Sequence, residues 1–159
     1  MDYEPLLRWL HVIGAAVLFG TGAGIAYFMV MARRSGNVQS IATVAAIVVR
    51  ADVLFTATAV IAQPVTGLLL ARATGWSLSE GWIVVSLALY VVTGLFWLPV
   101  VWIQIQLRDM AAEAAARHSA LPARFDRLYR IWFAAGFPAF ISVLAIYWLM
   151  LTRPAIGLP

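Results

Sequence analysis

His11 is the one histidine inside a long neutral run of this 159-residue chain. An ionisable side chain at membrane depth is a functional candidate by default, because hydrocarbon is a costly place for it. Arg8 lies about one helical turn earlier, and Gly14, Ala15, Leu18 and Gly22 continue the same helix face. Small side chains beside a histidine leave a flat, shallow surface. A porphyrin can lie on such a surface, with His11 as axial ligand and Arg8 paired to a propionate. The competing reading is a histidine hydrogen-bonded near the membrane interface, with the glycines serving close helix packing. Ala16, Gly20 and Gly24 form a further small-residue series, read first as a helix-association face.

A second iron ligand is not evident. His118 falls in a polar loop towards the other membrane face, so two histidines from one chain do not meet. At the depth of His11 the other helices offer Met150, Tyr147, Ser86 and Tyr90, and Met150 is the best generic iron ligand among them. Two copies of His11 in a homo-oligomer, or five-coordinate iron, are the remaining options. Arg50, Asp52, Gln104, Arg108 and Asp109 form a separate polar group. It reads as a structural ion-pair network, or else as a proton path or an anionic head-group site. Gln63 precedes Pro64, which frees a backbone carbonyl one turn earlier. Gln63 is read as an interhelical hydrogen-bonding residue first and a pocket residue second. Trp97 and Trp102 read as packing, although aromatics also line cofactor pockets.

The elements that would carry these residues follow from the charge gaps. No Asp, Glu, Lys or Arg occurs for 24 residues after Arg8, 19 after Asp52, 27 after Glu80 and 22 after Arg130. A helix needs about 20 apolar residues to cross a bilayer core of ~30 Å. The runs are continuously apolar rather than alternating, which excludes a lipid-facing β-barrel. The expected fold is all-α, a polytopic four-helix membrane bundle in a single domain. Its spans cover about 6–31, 52–72, 81–107 and 130–152, and an interfacial or protruding helix covers 40–51.

Pro5 and Glu4 suit the first turn of the first helix. Ser35-Gly36-Asn37 reads as a turn. Ser79 is the expected cap of the third helix, with Glu80 in its first turn. Pro99 and Gly136-Phe137-Pro138 mark expected kinks, and Leu121-Pro122 is a break. Trp76 and Trp82, with Tyr147 and Trp148, fit the aromatic belt of one membrane face.

Composition agrees. Hydrophobic residues make up 64% of the chain and charged residues 11%, against about 25% charged in an ordinary soluble domain. The net charge of +4 comes from eleven basic residues, all Arg. Eight of these fall in the first and third connecting segments and three on the opposite side. That split reads as a topology signal with both termini outside, and not as a nucleic-acid surface. There is no cysteine, which excludes disulfides, thiolate catalysis and cysteine metal sites. The acidic start, Met1 to Pro5, is unlike a signal peptide, so the first span is read as retained.

Several segments together resemble a bacterial family of predicted four-helix membrane proteins without an assigned function. They are Leu10-His11-Val12-Ile13 with Phe19-Gly20, Ala51-Asp52-Val53-Leu54-Phe55, Gln63-Pro64-Val65-Thr66-Gly67, Trp97-Leu98-Pro99-Val100-Val101-Trp102 and Gly136-Phe137-Pro138-Ala139-Phe140. The resemblance covers nearly the whole chain and implies residence in the bacterial inner membrane. More distantly, the opening of the first span and the stretch from Arg127 to Pro154 resemble HemJ-type protoporphyrinogen oxidases and CopD copper-resistance proteins. That resemblance implies haem b on His11. HemJ-type proteins carry further His and Lys after a Gly-Trp in the third span, whereas Gly81-Trp82 is followed here by Ile83-Val84-Val85. The departure bears on the oxidase reaction more than on haem binding.

Three functions are thereby expected as alternatives. The first is a b-type haem protein passing electrons to a quinone or a redox partner protein. The second is a haem-dependent oxidoreductase of the protoporphyrinogen oxidase type. The third is a cofactor-free subunit supporting a larger membrane complex, with its small-residue and Trp faces as partner surfaces.

Overall fold

The computed structural model describes residues 3–157 and is helical, with no strand among them. Met1 and Asp2 of the acidic start lie outside the described residues. Helix α1 spans Glu4–Ser35, with Pro5 in its first turn and Glu4 at the positive end of its dipole. It ends where Gly36 turns left-handed (φ 68°), a conformation glycine adopts without a Cβ penalty. Asn37 then caps α2 (Val38–Ala51), its Oδ1 accepting the Ser40 N–H at 2.9 Å.

The chain does not break after α2. It passes through a π-helical turn, Asp52–Thr56, directly into α3 (Ala57–Thr74). The Ala57 N–H bonds the Asp52 carbonyl, five residues back. This wider turn leaves Val53, Leu54 and Phe55 all facing outwards while Asp52 and Thr56, at its two ends, both face inwards. Helix α3 ends at Gly75 (φ 74°).

Helix α4 covers Gly81–Ala116 and α5 covers Ala123–Thr152. The expected cap on α4 is corrected. Glu80 occupies the capping position without a side-chain hydrogen bond, and Ser79 is engaged with Ser77 at 2.6 Å. Pro122 stands at the entry to α5, as a helix-breaking Leu-Pro pair requires.

Four stretches are long and apolar enough to cross a membrane: Glu4–Ser35, Val38–Thr74, Gly81–Ala116 and Ala123–Thr152. At 1.5 Å per residue the shortest measures about 45 Å, more than the hydrocarbon core. No more than a third of the residues in their most apolar portions are buried inside the bundle. Leu54, Ile61, Leu95, Leu98 and Leu151 point away from the protein, which is the arrangement of a chain whose outer solvent is lipid.

The helices pack as two pairs, α1 with α3 and α4 with α5, bridged by α2. The dense core sits at the end carrying the α1–α2 and α4–α5 loops, called the loop end here. Met29 of α1, Ile41 of α2, Leu107 of α4 and Phe125 of α5 are completely enclosed there. Arg33 ties α1 to α5 at that end, its Nε 3.1 Å from Asp126 Oδ1. At the opposite, terminal end the chain after α5 folds back over α4. Arg153 stacks on Trp76 and Trp82, 5.5 and 6.0 Å from the ring centroids. Gly81 lies so close beneath Ile156 that a methyl group there would sit 2.8 Å from the Ile156 Cβ. Between the ends the pairs meet where Phe19 of α1 stacks on Phe140 of α5, ring centroids 5.0 Å apart, and leave a cavity beside that stack.

Candidate functional site

His11 faces α3. Its Nδ1 lies 2.9 Å from Thr66 Oγ1, and Gln63 Nε2 donates to the His11 carbonyl oxygen at 2.9 Å. The Thr66 hydroxyl also donates to the Ala62 carbonyl at 2.8 Å. A hydroxyl has one proton, so Nδ1 is the donor to Thr66, and Nε2 keeps its lone pair. Two glycines permit this approach. A Cβ on Gly14 would collide with the Gln63 amide nitrogen, and one on Gly67 would lie 3.1 Å from His11 Cε1. One turn before Pro64, the Val60 carbonyl that the proline deprives of its helical donor receives the Tyr90 hydroxyl of α4. On the other flank, Tyr147 of α5 donates to the Ala15 carbonyl of α1.

The residues expected to form one site are therefore distributed. Arg8 is exposed and paired with Glu4, its Nε 3.1 Å from Oε1. Gly14 serves the α1–α3 seam. Leu18 faces the space between the two helix pairs. Met150 belongs to α5, whereas His11 is turned to α3. Among the described residues no three His, Asp or Glu side chains converge on one point. A haem could take one ligand from His11, through Nε2.

The expected ion-pair network at the loop end also resolves differently. Arg108 pairs with its neighbour Asp109 at 2.7 Å, and Arg50 is exposed. Only Asp52 and Gln104 meet, with Gln104 Nε2 3.3 Å from Asp52 Oδ2. Trp132, which has only an N–H to give, donates to Gln104 Oε1 at 2.9 Å. That bond orients the amide and aims its donor end at Asp52.

Asp52 and Gln104 form the polar end of a cavity of about 360 Å³ between the two helix pairs. Ligand pockets begin at about 300 Å³. The cavity exists because small side chains of α1 (Gly22, Ala23, Ala26) stand opposite Gly136 and the rings Phe133, Phe137 and Phe140 of α5. Trp97 of α4 closes it beside Asp52. Thr56 and Trp97 flank the carboxyl group and turn their donors towards it, although neither closes to a full hydrogen bond. Buried polar atoms are normally satisfied, and the Asp52 carboxyl group is the acceptor that these two donors face. Sequence reasoning placed Asp52 and Gln104 in one polar group and read Trp97 as packing, but missed Thr56 and Trp132. The available signal was the spacing of Phe133, Phe137 and Phe140, which puts three rings on one face of α5.

Fold and site together define a polytopic α-helical membrane protein with a cavity at membrane depth. A family model described as "Predicted integral membrane protein (DUF2269)" matches residues 5–154, and the chain belongs to that family. No curated protein and no solved structure matches it.

The seam around His11 yields a stability prediction. Thr66→Val removes the partner of Nδ1 and should cost about 1 kcal/mol. Gly14→Ala should push the Gln63 amide off the His11 carbonyl and cost about 1 kcal/mol, whereas Gly20→Ala, with no atom within 4 Å of the added methyl, should be neutral. Thermal unfolding in detergent measures all three. Equal melting temperatures for Gly14→Ala and Gly20→Ala would contradict the seam.

Proposed function

We propose that this protein binds a small, mainly apolar molecule inside the bilayer, in the cavity between the α1–α3 and α4–α5 pairs. The observation that carries the reading is the composition of that wall: aromatic and aliphatic side chains over most of it, with Asp52, Thr56 and Gln104 gathered at one end. Such a wall solvates a hydrophobic body and orients it through a few polar contacts. A ligand of this kind arrives dissolved in lipid, so the separation between helix pairs serves as its route. Eight of eleven arginines lie towards the loop end. We therefore read the loop end as cytoplasmic and both termini as outside, in a bacterial inner membrane.

A second reading keeps a b-type haem on His11 and a redox role, with a quinone or partner protein as electron acceptor. It is favoured by the Nδ1–H···Thr66 bond, because a ligating histidine normally donates its other ring N–H and so fixes its orientation. The haem would lie on the flank of the α1–α3 seam, outside the aromatic cavity. Protoporphyrinogen oxidation belongs to this reading. A cofactor-free subunit of a larger complex is the function left if the protein binds neither haem nor a cavity ligand.

Three measurements separate these readings. Radiolabelled triphenylmethane should bind the protein in phosphatidylcholine nanodiscs saturably, above its partition into empty discs. Leucine at Gly22 or Gly136, where an added Cβ meets no atom within 4 Å, should fill the cavity and abolish binding without lowering the melting temperature. Undiminished binding in both variants would sink the first reading. A Soret band in protein from haem-replete cells, lost in His11→Ala, is the outcome expected of the second, and a colourless preparation contradicts it. A periplasm-active reporter fused after Pro159 should be active, and cytoplasmic activity would reverse the orientation.

A further inference from the structure

Asp52 is 4% exposed and is the single ionisable residue on the cavity wall. Every neighbour that approaches it offers a hydrogen rather than an electron pair. Gln104 presents its N–H₂ end because Trp132 holds the other end, and Thr56 and Trp97 turn their donors to the same carboxyl group. The carboxyl group is thus arranged as an acceptor. No arginine reaches it. Arg108 is bound to Asp109, and Arg50, two residues away, is exposed. To stay ionised in low dielectric the carboxylate requires a counter-charge, and the described residues supply none.

The rest of the wall says what kind of counter-charge fits. A metal ion needs several oxygen or nitrogen ligands, and no group of three His, Asp or Glu is present among the described residues. A compact ammonium group needs several acceptors, and Asp52 is the one charged acceptor here. The rings of Phe133, Phe137, Phe140, Trp97 and Trp132 line the cavity instead. Aromatic faces attract a cation through their quadrupole, most strongly when it is desolvated. We propose that the cavity takes a lipophilic organic cation, with diffuse charge and an apolar surface, and that the Asp52 carboxylate is its counter-ion. The proposal rests on the cavity being a binding site and adds the charge of what it binds.

Tetraphenylphosphonium and tetraphenylborate test this, because they share a shape and differ in sign. In phosphatidylcholine nanodiscs, phosphonium should bind the wild-type protein saturably and borate about tenfold more weakly or worse. Asp52→Asn should lose about tenfold in phosphonium affinity, and a melting temperature equal to that of the wild type certifies its fold. A second measurement needs no variant. Acidification protonates the carboxylate and should weaken phosphonium binding to the wild-type protein. The groups facing Asp52 are Thr56 of its own helix, Gln104 and Trp97 of α4 and, through Gln104, Trp132 of α5, none of which titrates in that direction. Equal affinity for the two ions, pH-independent phosphonium binding, or undiminished binding in Asp52→Asn would each overturn the cation assignment. If triphenylmethane still binds in such a case, the pocket itself stands. If none of the three probes binds the wild-type protein, pocket and cation site fall together.

Discussion

A polar group immersed in hydrocarbon has no water to turn to, so its partner must come from the protein or from a ligand. Most of this structure can be read as answers to that demand. The carbonyl stranded by Pro64 is met by Tyr90, and the His11 carbonyl by Gln63. Threonines and serines on the spans turn their hydroxyls back onto their own helix, as Thr93 does to Leu89 and Ser86 to Trp82. Set against this pattern, Trp82 Nε1 at the terminal end is buried without a partner, and Thr56 and Trp97 turn their donors to Asp52 without closing a full hydrogen bond. These last two coincide with the separation of the helix pairs and with the π turn, a feature often found at functional sites.

The division of labour along the bundle follows from where packing is dense. At the loop end, α2 and the adjoining parts of α1, α4 and α5 enclose Met29, Ile41, Leu107 and Phe125. This core holds the two helix pairs together. At the terminal end the Arg153–Trp76–Trp82 stack and the Ile156 contact with Gly81 close the structure over α4. The cavity lies between these fixed regions, where α1 presents glycine and alanine to α5. A binding space is stable there because rigid packing above and below keeps the pairs from collapsing onto one another.

The four spans were legible in the sequence because a neutral run of 19 to 27 residues has few other solutions than a membrane helix. Gly36, Asn37 and Pro122 were legible for local reasons, since each has a backbone or capping preference of its own. The facing of each helix was not. A histidine on an apolar run points equally well to a neighbour helix, a cofactor or lipid, and Gly14 and Gly67 decide the matter only once α1 and α3 are paired. The π turn is invisible to periodicity because it inserts a single residue into an otherwise regular helix. Asp52 was grouped with Arg50 and Arg108 by charge, but adjacency on α4 gives Arg108 to Asp109, and Arg50 points outwards. What remained at Asp52 was hydrogen-bond chemistry, which a count of charges does not reveal.

The claim on which the account turns is that Asp52 borders a space within the membrane that a molecule other than protein occupies. A high-resolution map of the protein in lipid nanodiscs measures this directly. The account predicts non-protein density between Gly22 of α1 and Phe137 of α5, reaching the Asp52 carboxyl group. Helices α1 and α5 closed on each other, with no intervening space beside Asp52, would contradict it.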